Sequence, residues 1–155
     1  LYGIAYTLKF MLKNSPGLQP ENYVDYVMPP LETLWSTSEG CFTQENAHNW
    51  QWNCMIMQPD FVTPELIEKA KQQALKKKEI PAIDKLRFES YNEGKAVQIM
   101  HIGPYNEVGN SYEKLQEALD EKQFKSHKKA HEIYISDTRK TAPEKLKTIA
   151  RLPYE

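Results

Sequence analysis

The chain has 155 residues, with 20 Lys and Arg against 21 Asp and Glu, a net charge of −1 and 40% hydrophobic residues. That length can bury a core without disulfides or metals, and the balanced charge offers no basic surface for nucleic acid or for a membrane face. No apolar run reaches the ~18 residues of a membrane span, and two cysteines outside any C-x-x-C, Cys41 and Cys54, point to a reducing compartment, read as cytoplasmic.

The predicted elements begin with a helix. Leu1, Ile4, Ala5, Leu8, Met11 and Leu12 recur at helical spacing, and Pro16-Gly17 ends the run. This helix starts at the first residue with no cap, so a preceding strand is expected to be missing from the sequence. Residues 23–28 alternate as a strand up to the Pro29-Pro30 break. Leu31, Thr33 and Trp35 resume a strand, and residues 36–49 read as a loop. Residues 50–57 form the next strand, with Trp50, Trp52, Cys54 and Ile56 on one face. Thr63-Pro64-Glu65 starts a second helix: a capping hydroxyl, a proline at the first helical position and an acid in the first turn. Its buried stripe is Leu66, Ile67, Ala70 and Ala74, and Lys76-Lys77-Lys78 makes a solvated end.

Residues 86–91 and 95–102 read as a hairpin around Asn92-Glu93-Gly94. Asn110 or Ser111 should cap a third helix with Tyr112, Leu115, Ala118 and Leu119 inward. Residues 131–137 form a strand with Ile133 and Ile135 on one side and Glu132, Tyr134 and Ser136 on the other. A turn at Pro143-Glu144-Lys145 leads to a last strand near residues 148–154. The order is that of an α+β domain built from two pseudo-duplicated strand–helix–strand–strand units. Their sheets are antiparallel, with helices on one side and a groove between the halves (1–80 and 81–155).

Glu132 is the residue of most chemical interest. A carboxylate inside a strand is costly to bury without a partner. On a water-facing sheet face it is ordinary; in a cavity it neutralises a cation or serves as a base. Glu107 stands at a strand–helix junction, where it either favours the helix N-terminus or meets a ligand. Trp35, Trp50, Trp52, Tyr105 and Tyr134 are either core aromatics or walls for a flat or cationic compound. His48, His101, His127 and His131 make no zinc motif, and His101 reads as a buried, hydrogen-bonded strand residue. No phosphate-binding, dinucleotide or serine-nucleophile motif is present, so neither a cofactor nor a metal is expected.

Three stretches resemble the GyrI-like small-molecule-binding proteins, in particular their stand-alone members. They are Trp50-Gln51-Trp52 running on to Met57-Gln58-Pro59-Asp60-Phe61, then Val97-Gln98-Ile99-Met100-His101-Ile102-Gly103-Pro104-Tyr105, then His131-Glu132-Ile133-Tyr134-Ile135-Ser136-Asp137 with residues 139–148 behind it. The resemblance implies a groove between two repeated units in which a strand glutamate, here Glu132, meets an amphipathic, aromatic or cationic ligand. Trp35, Trp50, Trp52, Met57, Tyr105 and Tyr134 would be its walls. It also implies a second activity, hydrolysis of the cyclopropane ring of DNA-alkylating natural products, with Glu132 and Glu107 handling the water. A third implication is a protein-interaction module of the gyrase-inhibitor type. The sequence departs from the family in lacking the N-terminal strand and glycine-bearing loop, and in reading Leu34-Trp35-Ser36 where a second aromatic is common.

Overall fold

The computed structural model describes residues 1–37, 48–126 and 129–155. Cys41 and His127 lie outside them, as does most of the loop read between the first two strands. The chain forms two compact units that interleave along the sequence. One comprises Leu1–Pro29 and Ile56–Tyr91, the other Pro30–Met55 and Asn92–Glu155.

The first unit is helical. Helix α1 (Tyr2–Asn14) buries Ile4, Ala5, Leu8, Met11 and Leu12, the face given by the heptad-like spacing. Helix α2 (Pro64–Leu75) starts as its sequence dictates: the Thr63 hydroxyl accepts from the Leu66 backbone N–H at 3.4 Å, and Pro64 and Glu65 follow. Leu66, Ala70 and Ala74 of α2 meet Ile4, Leu8, Met11 and Leu12 of α1, with Phe61 and Val62 closing the core. Residues 23–28 are not a strand. Their bonds are made by side chains instead of a ladder. Tyr23 and Tyr26 stand edge-on to Phe61 at 5.4 and 5.9 Å. Asp25 pairs with Lys13 and Lys9 at 2.7 and 2.8 Å, and these two ammonium groups hold its carboxyl down at about 2. The flanking prolines lack the N–H donors that a ladder would need.

The second unit is one open antiparallel sheet. Its strands are β1 (Leu31–Thr37), β2 (Trp50–Met55), β3 (Ala96–Ile102), β4 (Ala130–Tyr134) and β5 (Lys147–Pro153), in the spatial order β2-β1-β4-β5-β3. Pairing of β1 with β4 joins strands from the two halves of the chain into this single sheet. The expected hairpin does not form. Residues 86–91 have no ladder, the Asn92 side chain accepts from the Gly94 N–H at 3.0 Å, and β3 pairs with β5. Helix α3 (Gly109–Glu121) lies over β3 and β5, packing Leu115 and Leu119 on Ala150 and Leu152. Neither Asn110 nor Ser111 caps it; Val108 precedes it without a side-chain cap, because the Ser111 hydroxyl is taken by His101.

Cross-strand register sorts the sheet into two faces. Trp52 lies opposite Trp35, Cys54 opposite Thr33 and Trp50 opposite Thr37. Thr33 in turn lies opposite Glu132, and Leu31 opposite Tyr134. Glu132 lies opposite Ala150, and Tyr134 opposite Thr148. With a side-chain period of two, all of these share the face on which α3 sits. The helix packs mainly on the β5–β3 side of that face, and reaches β4 through Tyr112. Among the described residues of this unit, the β4–β1–β2 side presents acid and aromatics.

Candidate functional site

Glu132 sits on β4 beside Tyr112 of α3 and is only 8% exposed. Its Oε2 accepts from the Tyr134 hydroxyl at 2.8 Å, and that hydroxyl accepts from the Trp35 indole N–H at 3.3 Å. β4 supplies Glu132 and Tyr134 two residues apart, hence on one face, and β1 delivers Trp35 beside them. The Tyr112 ring comes down from α3, and its hydroxyl donates to the His131 carbonyl at 3.3 Å.

Burial raises the Glu132 carboxyl above its ordinary range, while hydrogen bonding from Tyr134, Trp35 and Tyr112 pulls it part of the way back. In turn burial, together with the charge of Glu132, pushes the Tyr134 and Tyr112 hydroxyls up, so both remain protonated donors. The result is a largely desolvated carboxylate held by aromatic hydroxyl and indole donors, with no Lys or Arg hydrogen-bonded or ion-paired to it among the described residues. Such an anion gains from an incoming positive charge or from a proton.

The aromatics continue outward across the sheet. Trp35 stands edge-on to Trp50 at 5.9 Å and tilted to Trp52 at 6.1 Å, and Trp52 is 62% exposed. On the other flank Tyr105 meets Tyr134 edge to face at 5.4 Å. Tyr105 is carried by a short 3-10 turn, Tyr105–Glu107, between β3 and α3. His101 holds that turn. Its Nε2 lies 3.1 Å from the Pro104 carbonyl, which can only accept, so Nε2 carries the proton; Nδ1 then accepts from the Ser111 hydroxyl at 3.0 Å. The sequence reading of His101 as a buried, bonded residue describes this position. Gly103 takes φ +145°, a backbone conformation closed to side-chain-bearing residues. Gly103→Ala is therefore expected to cost about 1–3 kcal/mol in urea unfolding, and to loosen the turn that presents Tyr105.

The structure brings Glu132, Tyr134, Trp35, Trp50, Trp52 and Tyr105 to one face. Glu107 ends the Tyr105 turn with its carboxylate exposed, 3.7 Å from where a Gly103 Cβ would stand. Met57 lies beyond the end of β2, in the first unit, and is 64% exposed. Sequence reasoning missed Tyr112, which it placed with the α3 core, and Thr148, whose fully buried hydroxyl lies on the same face without a hydrogen-bond partner among the described residues. Helical spacing gave Tyr112 a direction but could not show that its hydroxyl reaches β4. No group of three or more His, Cys, Asp or Glu among the described residues is placed to hold a metal ion. No helix among them is long and apolar enough to cross a membrane.

Residues 57–155 match the GyrI-like small molecule binding domain. The chain belongs to the GyrI-like family. Comparison with curated proteins finds no match. Among solved structures, an uncharacterized conserved protein from Listeria innocua is 40% identical, with a TM-score of 0.83 over 100% of this chain and 76% of its own. A hydrolase from Listeria innocua is 37% identical at a TM-score of 0.83, and a second hydrolase from that organism is 41% identical at 0.79, with the same coverage. The GyrI-like family thus accounts for the α+β architecture and for a small-molecule ligand. In this GyrI-like chain the matched segment contains β3, α3, β4 and β5, and with them Glu132, Tyr134 and Tyr105.

Proposed function

We propose that the Glu132 face binds cationic or amphipathic aromatic small molecules. The observation that carries this reading is a buried carboxylate held by the hydroxyls of Tyr134 and Tyr112 and the Trp35 indole, among aromatic rings. A ring system can lie against Trp35 and Trp52 while its positive charge approaches Glu132. Cation–π attraction contributes about 0.5–2 kcal/mol per ring, and the desolvated acid contributes more than it would in water. A fluorescence titration with a fixed-charge dye such as thioflavin T tests this. Wild type should bind, Trp35→Ala should weaken binding roughly tenfold, and a neutral aromatic of similar size should bind less well. Equal affinity for wild type, Glu132→Gln and Trp35→Ala would remove this face as the site.

A second reading is supported by the two similar structures described as hydrolases. A carboxyl raised by burial takes a proton from water more readily than an ordinary one. Glu132 would accept that proton as the water oxygen attacks a strained ring carbon, and the ring C–C bond electrons leave to be protonated. The substrate class is a cyclopropane-bearing alkylator, and Glu107 is the second acid. Incubation with such a compound should give a ring-opened product heavier by one water, lost in Glu132→Gln. An alkylator recovered intact from wild type leaves the binding function alone.

A further inference from the structure

The reverse face of β4 carries a second ionisable group that neither reading uses. His131 is 2% exposed and points away from Glu132, its neighbour in sequence. Its Nε2 lies 2.8 Å from Glu32 Oε2 on β1, and its Nδ1 lies 2.8 Å from Glu93 Oε1 in the segment before β3. Glu93 also accepts from Arg151 Nη1 of β5 at 2.9 Å, and Arg151 Nε donates to Gln98 of β3 at 2.8 Å. A neutral imidazole has one N–H and one lone pair. Between two carboxylates that lone pair would face another lone pair, so the geometry calls for a ring protonated at both nitrogens.

The same two strands are bridged twice. On the reverse face His131 of β4 is tied to Glu32 of β1. On the front face Trp35 of β1 is tied to Tyr134 of β4, whose hydroxyl holds Glu132. We propose that His131 is a positioning residue for the Glu132 site: its imidazolium clamps β4 to its neighbours from behind, and so sets the Trp35–Tyr134–Glu132 chain of hydrogen bonds in front. The inference rests on the Glu132 face being the ligand site. The charged groups around His131 from the packed elements include Glu32 from β1, Glu93 from the segment before β3 and Arg151 from β5. Burial alone would lower the His131 titration, and the hydrogen bonds and charges of Glu32 and Glu93 outweigh it, so the clamp loosens only above the ordinary imidazole range.

The test uses the ligand-free protein first. The Trp35 indole N–H resonance, assigned with Trp35→Phe, is followed by NMR from pH 5 to 10 alongside the His131 ring protons. The two should move with one midpoint above 6.5. In His131→Gln the Trp35 resonance should sit at the high-pH wild-type position throughout. If that variant does not fold, Glu93→Gln keeps the ring and should lower both midpoints together by about one pH unit. A His131 midpoint below 6.5, or a Trp35 resonance that ignores His131 and its substitution, overturns the proposal. Thioflavin T titration is then repeated over the same range, where wild-type affinity should fall roughly tenfold through the shared midpoint. Should Trp35 follow His131 while dye binding ignores Glu132→Gln, the clamp stands and the ligand reading falls. Should dye binding require Glu132 while neither signal follows His131, the ligand reading stands and the clamp falls.

Discussion

At pH 8, Glu132→Gln is expected to unfold at a higher temperature than wild type while binding a cationic dye about a hundredfold more weakly. The two effects have one origin. Burial raises the Glu132 carboxyl in the folded chain, so the native state holds its proton to a higher pH than the unfolded state does. Between the two titrations the native state binds more protons, and stability falls as pH rises through that window. Above it the whole penalty is present, worth ~1.4 kcal/mol for each pH unit of displacement. Glutamine keeps an oxygen that accepts from Tyr134 and carries no charge to desolvate. Each kcal/mol recovered should raise the melting temperature by about 2–4 °C in a chain of this size. Below pH 4 both forms are neutral in both states, and the two melting curves should converge. A variant that melts lower than wild type at pH 8 would mean that the carboxylate is stabilising where it sits. Acidic groups kept at a stability cost are a mark of functional sites.

His131→Ala is expected to lose about 3–5 kcal/mol at pH 6, the cost of removing one partner from a buried ion pair and leaving the other unpaired. Here Glu32 and Glu93 would both lose their bridging cation. The pH dependence has the opposite sign to that of Glu132. A folded-state titration raised above the unfolded one means that the stabilisation is fully present below pH 6.5, and is lost as pH rises through the folded value. Urea unfolding at pH 6 and pH 9 should therefore show a large gap between wild type and His131→Ala at the lower pH and a smaller one at the higher. A gap that widens with pH would show that the ring is neutral in the fold. His131→Leu separates packing from charge: it refills the space but leaves the glutamates facing each other, so it should recover only part of the loss.

Much of this architecture is legible one residue at a time. Spacing alone finds the buried face of α1, and Thr63-Pro64-Glu65 marks the start of α2 to the residue. Alternation puts Glu132 and Tyr134 on one side of β4 and His131 on the other, but it cannot say which side is covered. That depends on α3 packing against Ala150 and Leu152 of β5, a fact about packing and not about period. Local pattern misleads at residues 23–28 and 86–91. Both alternate like strands, yet Tyr23 and Tyr26 are drawn to Phe61, and β3 finds its partner in β5 instead of its sequence neighbour. The reverse-face cluster was invisible because Glu32, Glu93, His131 and Arg151 come from four separate segments. Each reads alone as an ordinary surface charge, and only the pairing of β1 with β4 and of β4 with β5 makes them neighbours.

That β1–β4 pairing also sets a timetable for synthesis. Trp35 and Tyr134 are 99 residues apart along the chain. At about 5–20 residues per second on the ribosome, β1 waits about 5–20 s for its inner neighbour to emerge. Until then a two-stranded ribbon of β1 and β2 carries three tryptophans and an unsatisfied backbone edge, which is marginal by itself and open to adventitious pairing. The sheet is rich in long-range contacts, so its closure is slow for its size. The acid that completes the proposed ligand face arrives with the strand that ends this exposure. On the proposed site, binding competence and protection from aggregation are therefore acquired in the same step, and neither is available to a nascent chain that stops short of β4.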